Sequence, residues 1–214
     1  MQMPMKTASE ITVDHDGNVW IAGNGQKDTQ VLKFSDSGKF LLQLGKHGVH
    51  NGSNDTANFW QPTKIFHEPG ANEVYISDGY GNRRVIVFDA NTGAYKRHWG
   101  AYGNKPDDVK VPPYNPSAPP SKQFSTVHCV IVANDGLVYV CDRVNDRIQV
   151  FRTDGTFVKE AFIDRKTYRS GSVWDMTFSR DPQQTYIYAA NGVDQKINVL
   201  LRSTLEVLTS FGDG

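Results

Sequence analysis

The strongest constraint on this chain is that it repeats itself. The stretches GNVWIAG (17–23), NEVYISD (72–78), GLVYVCD (136–142) and TYIYAAN (185–191) align, with Val19, Val74, Val138 and Ile187 at equivalent positions. Each carries β-branched and aromatic residues with a period of two, the pattern of a pleated strand. A second strand-like stretch precedes each of them (EITVDHD, KIFHEPG, CVIVAND, DMTFSRD), and a third follows (QVLKF, RVIVF, RIQVF, KINVL). Turns such as SDSG, ANTG and TDG then lead to a fourth: KFLLQLG, AYKRHWG, TFVKEAF and EVLTSFG. Four antiparallel strands in each repeat of about 40–50 residues is the pattern of a β-propeller blade. A β-sandwich also uses short strands, but it would not repeat one four-strand unit with the same internal turns. The expected fold is all-β, a single propeller domain over residues 1–214 with blades at about 8–48, 60–103, 124–163 and 172–214.

Four blades of this size pose a question, because such blades commonly close in rings of six. The chain runs from the first strand of one blade to the last strand of another, so no blade is split to latch a ring. We therefore expect part of a six-bladed type of ring, or an open set of blades covered by another copy in a homo-oligomer, since end blades otherwise expose apolar faces and strand edges. Between blades two and three, residues 101–122 hold six of the ten prolines. A stretch this long is read as a stiff surface insertion, with a substrate lid as the alternative.

Composition excludes several classes. Lys+Arg and Asp+Glu both total 23, and no basic run is present, so there is no electrostatic footprint for nucleic acid or anionic membrane. No apolar stretch approaches the roughly 20 residues that span a bilayer. The opening MQMPMKTASE has no apolar signal core, so a soluble protein is expected. The only two cysteines, Cys129 and Cys141, flank the NDG turn symmetrically. Directly opposed strand positions seldom suit disulfide geometry, so two free, half-buried thiols are expected rather than a bridge.

Between the second and third strands of two blades lies a recurring turn. CDRVNDRIQVF (141–151) and SDGYGNRRVIVF (77–88) share an Asp, an Asn and an Arg, with one extra residue in the second. This D-x-x-N-x-R-like turn resembles that of the NHL-repeat propellers. Within them, NFWQPTKIFHEPGANEVYISDGYGNRRVIVF and KQFSTVHCVIVANDGLVYVCDRVNDRIQVF resemble the peptidyl-α-hydroxyglycine α-amidating lyases over about residues 58–152. That resemblance implies a zinc ion which, with an arginine and a tyrosine, splits a carbinolamide into an amide and glyoxylate. It assigns Arg84 as the catalytic arginine and His128 as one zinc ligand, and it implies a parent family that is often secreted. The other zinc histidines of that family find no match here, and Phe178 stands near the place of its tyrosine. Zinc is thus the first cofactor considered and calcium the second.

The residues themselves place a site at one mouth of the central channel, which the first strand of each blade lines. Counting back from the second strands puts Ser9, Lys64, His128 and Asp175 around that mouth, with Arg84 and Arg147 above. His128 has three possible roles there: a hydrogen-bonded plug, a metal ligand with Asp175 and the loop histidines His47 and His50, or a general acid/base. Lys64 and Asp175 can instead form a salt link. Lys64, Tyr80, Arg84 and Arg147 are the ligand-binding candidates. For Arg147 a brace between blades is the favoured role, by charge-assisted hydrogen bonds. The leading functional expectation is a ligand- or protein-binding propeller with an incomplete catalytic set, taking a small molecule or peptide at the mouth. The alternative is a zinc-dependent lyase or hydrolase completed by another copy or by further blades. RNA binding, known for some NHL domains, comes third on the neutral charge.

Overall fold

Sixteen strands form four separate antiparallel sheets in the computed structural model, which describes residues 8–212. Blade 1 comprises β1 (Ala8–Val13), β2 (Val19–Gly23), β3 (Gln30–Phe34) and β4 (Phe40–Gly45). Blade 2 holds β5 (Pro62–Glu68), β6 (Glu73–Asp78), β7 (Arg84–Asp89) and β8 (Tyr95–Trp99). Blade 3 is β9 (Val127–Val132), β10 (Val138–Asp142), β11 (Arg147–Phe151) and β12 (Phe157–Phe162). Blade 4 is β13 (Asp175–Phe178), β14 (Tyr186–Asn191), β15 (Lys196–Leu201) and β16 (Glu206–Phe211). In every sheet the strands neighbour one another in chain order. Among the described residues the blade count is four rather than six. Most of the opening stretch read for a signal peptide, and the last two residues of blade 4, lie outside the described residues.

The blades stand side by side because their strands are apolar on both faces. In β6, Val74 and Ile76 pack against Trp20 and Ala22 of blade 1, while Tyr75 between them faces blade 3. In β10, Val138 and Val140 face blade 2, and Tyr139 and Cys141 face blade 4. Three inter-blade cores result, and each fully buried aliphatic or aromatic side chain in them contributes about 1.5–3 kcal/mol. Blade-to-blade contacts run through the first strands, β1 to β5, β5 to β9 and β9 to β13, and the arc is left open.

One expectation is overturned. Cys129 and Cys141 form a disulfide rather than two free thiols. They are directly paired across β9 and β10, as the NDG turn implied, but their Cα atoms are only 4.9 Å apart. That spacing falls inside the disulfide range, so here the opposed geometry permits the bridge that it usually disfavours. The proline-rich stretch begins in a short 3-10 turn, Ala101–Gly103, and then runs without regular structure to the start of β9. It is tied to the loop after β12 by the Tyr114 hydroxyl donating to the Arg165 carbonyl and by the Arg165 guanidinium donating to Pro116 O.

Candidate functional site

The Asp-Asn-Arg turns are braces. Asp78 Oδ2 accepts from Asn82 Nδ2 at 2.7 Å and from Arg84 Nε at 3.0 Å, while its Oδ1 accepts the Trp60 N–H. Blade 3 repeats this with Asp142, Asn145 at 2.7 Å, Arg147 at 2.8 Å and the Ser125 N–H. The Arg84 guanidinium then donates to the carbonyls of Ser53, Asp55 and Asn58, pinning the loop between blades 1 and 2. Arg147 donates to the Tyr102 hydroxyl and to Gln123 O, pinning the proline-rich loop on blade 3. Both arginines are fully buried, and their hydrogen bonds point into protein rather than toward the channel mouth. Blade 4 substitutes Asn191, Asp194 and Lys196: Asn191 now donates to Asp194, and Lys196 pairs with Asp164.

The guanidinium that does reach the mouth belongs to Arg143, the residue after the motif's Asp142. It sits over the rings of Trp174 and Tyr80, with 4.5 Å and 5.3 Å to the ring centres. Arg143 Nη1 donates to the Tyr80 hydroxyl, and that hydroxyl lies 3.0 Å from His128 Nε2. His128 Nδ1 meets the Trp174 carbonyl. A carbonyl only accepts, so Nδ1 carries the proton and Nε2 is left to accept from Tyr80. A single chain of polar contacts thus runs from Arg143 through Tyr80 and His128 to the backbone of blade 4. Two glycines make the approach possible. A side chain on Gly79 would strike Val127 O, and one on Gly171, at φ +77, would strike Arg143 O.

Beside this chain, Lys64 Nζ is paired with Asp175 Oδ2 at 2.8 Å, and Glu10 lies close to both. Strand register explains which residues meet. The turn joining β5 to β6 is one residue longer than that joining β9 to β10, and the turn between β13 and β14 is longer still. The true equivalents of His128 are therefore Ser9, Thr63 and Trp174, one residue before Lys64 and Asp175. Lys64 and Asp175 still join the cluster, with Glu10 as the blade 1 member of their own level. Trp174 was missed by counting from the second strand, and the long SRDPQQ turn of blade 4 was the available signal; Arg143 directly follows the motif's Asp142 and Glu10 directly follows Ser9, positions the count did not consider.

The electrostatics are lopsided. Burial, reinforced by the Arg143 charge, pushes the His128 imidazolium down to a pKa of about 4. At neutral pH the ring is neutral, an acceptor toward Tyr80 rather than a cation. Burial also raises the Glu10 carboxyl, with the Lys64 charge opposing it and Asp175 adding to it. The partnership with Asp175 holds the Lys64 ammonium above its usual range despite burial.

A zinc or calcium ion does not fit these residues. Among the described residues no group of three His, Cys, Asp or Glu side chains converges on a metal-sized space. Both His128 nitrogens have partners, the nearest carboxylate is paired with Lys64, and His50 is stacked on Trp60 with 4.0 Å between ring centres. Neither His47 nor His50 is brought to His128. A catalytic zinc needs three protein ligands, and His128 has no second or third beside it among the described residues.

No protein-family model matches the chain. Mouse (Mus musculus) peptidyl-glycine alpha-amidating monooxygenase is 34% identical over 154 residues, 70% of this chain and 14% of its own length. Human (Homo sapiens) NHL repeat-containing protein 3 is 30% identical over 144 residues, covering 65% of this chain and 37% of its own. The chain thus spans a seventh to about a third of these relatives. Among solved structures, U3-55K superposes with a TM-score of 0.68 at 12% identity, over 99% of this chain and 53% of that one, a likeness of fold alone. The repeats, the braced Asp-Asn-Arg turns and these relatives agree: the chain is a β-propeller similar to the NHL-repeat proteins.

Proposed function

We propose that this chain is a ligand-binding propeller that takes a small molecule or peptide carrying a carboxylate at the mouth formed by Tyr80, His128, Arg143 and Trp174. The observation that carries the reading is the Arg143–Tyr80–His128 chain, in which a guanidinium held between two aromatic rings ends on a neutral histidine. A guanidinium can fork onto a carboxylate, and the half-exposed Tyr80 offers a flat ring and a hydroxyl to the rest of the ligand. Lys64 adds a second cation at the rim. It is paired with Asp175 at 2.8 Å. In this reading Arg84 and Arg147 support the ligand site from below by holding the turns that present Tyr80 and Arg143.

Intrinsic fluorescence reads the site directly, because Trp174 lies in it. Titration with N-acetylglycine is expected to change the emission saturably, whereas N-acetylglycinamide, lacking the carboxylate, leaves it unchanged. Arg143→Ala removes the response. A wild-type protein silent to millimolar N-acetylglycine contradicts the proposal, as does an undiminished response in the variant. Stoichiometric zinc in the purified protein, together with cleavage of a peptidyl-α-hydroxyglycine, would replace it with the lyase reading.

A further inference from the structure

The loop that joins β4 to β5 carries two acceptor tripeptides side by side. Asn51-Gly52-Ser53 and Asn54-Asp55-Thr56 both read Asn-x-Ser/Thr with no proline in the middle. One other asparagine of the chain stands two residues before a serine or threonine, Asn115, and Pro116 disqualifies it.

The fold turns the asparagines of this loop outward. Ser53 is buried, its hydroxyl donating to Asp108 and accepting the Arg83 N–H. The Arg84 guanidinium holds the carbonyls of Ser53, Asp55 and Asn58 from within. Asp55 turns back to accept the backbone N–H groups of Ala57 and Asn58. Between these anchors Asn51, Asn54 and Thr56 are left exposed. Asn51 Nδ2 donates to Asp55 Oδ2 at 2.8 Å, and Asn54 Nδ2 donates to Pro106 O at 3.0 Å. A side-chain amide nitrogen carries two hydrogens, and each of these nitrogens uses one. The other can be replaced by carbon while the loop keeps its bonds.

An independent observation bears on the compartment. The Cys129–Cys141 bridge joins β9 to β10, and such bridges form and persist in oxidising lumens and outside the cell. Chains that pass through the oxidising lumen are also the ones whose Asn-x-Ser/Thr segments are glycosylated.

We infer that the β4–β5 loop is a site of N-linked glycosylation, with Asn51 and Asn54 as its acceptors. The co-substrate is an oligosaccharide joined through pyrophosphate to a lipid. Asparagine Nδ2 bonds to the anomeric carbon of the first sugar, and the bond from that carbon to the pyrophosphate oxygen breaks. The lipid pyrophosphate leaves with the electron pair, Nδ2 gives up one proton, and no oxidant or reductant takes part. The product is a bulky, solubilising group on a loop that the Arg84 brace fixes in place.

The test is to express the full chain in animal cells behind a secretion leader and to digest the secreted protein with peptide N-glycosidase. The wild type is expected to migrate faster after digestion, and mass spectrometry is expected to find aspartate in place of Asn51, Asn54 or both. Asn51→Gln combined with Asn54→Gln removes the shift, with circular dichroism confirming the fold. Thr56→Ala leaves Asn54 in place and is expected to remove any glycan it carries, which separates glycosylation from a structural role of the asparagine. A wild type secreted without glycan at either position overturns the inference. A digestion shift that persists in the double variant overturns the assignment to this loop.

Discussion

Two arginines a short distance apart do opposite work. Arg84 is buried against Asp78 and three carbonyls, so Arg84→Ala strands a buried carboxylate and is expected to cost about 3–5 kcal/mol in urea unfolding. Arg143 is buried over two rings with an unpartnered Nε, so Arg143→Ala is expected to cost about 2 kcal/mol while abolishing carboxylate binding. Two titrating groups give opposite pH slopes. The His128 pKa is lowered to about 4 from its ordinary 6.5, so the unfolded chain binds more protons between those values. That contribution to stability is complete above pH 6.5 and is lost as pH falls through 4; His128→Gln removes it. Asp146, a fully buried residue at φ 52, has its carboxyl raised to about 7 by burial, with the Asp164 charge adding. Here the folded chain holds the extra proton, so stability falls as pH rises from about 4 to 7. Asp146→Asn is expected to raise the melting temperature at pH 8 by about 2–8 °C and to leave it unchanged at pH 4. Thermal melts of the two variants across pH 4–8 separate these slopes.

At the scale of strands and turns, the disulfide is the feature to probe. It ties β9, which carries His128, to β10, which leads into Arg143, across twelve residues of chain. Replacing both cysteines by alanine is expected to cost about 2–4 kcal/mol, chiefly by freeing the unfolded chain. Alkylation of the denatured protein should label neither cysteine until a reductant is added; labelling without one would contradict the bridge. Strand identity and order were legible from the period-two pattern and its repetition, and the position of the Cys129–Cys141 pair was legible from the NDG turn. Their closeness was not, because the Cα spacing of a paired position depends on local pleat and twist. The site was half legible. His128, Tyr80, Lys64 and Asp175 stood out by residue type, but Trp174 depended on a hairpin turn whose length differs between blades, and Arg143 was hidden beside the motif's Asp142. Arg84 drew attention as a motif residue, and motif residues in these turns hold structure: three backbone carbonyls saturate its guanidinium.

At the scale of the molecule, four blades share three cores among the described residues. Each Asp-Asn-Arg brace carries a loop from the previous blade to the next, so a lesion in one brace should loosen the neighbouring blade before its own. Hydrogen exchange in Arg147→Ala is expected to accelerate first in the proline-rich loop that Gln123 and Tyr102 anchor, and later in blade 3. The mouth is where the arc meets solvent with charged, aromatic and neutral basic groups together, and the account stands or falls there. The most direct measurement is 15N NMR of the histidine side chains in the intact chain, titrated with acid and then with N-acetylglycine. The account predicts a neutral His128, protonated at Nδ1, with a midpoint near 4 and resonances that shift when the carboxylate binds. A His128 that titrates in the ordinary histidine range and ignores the ligand would contradict it.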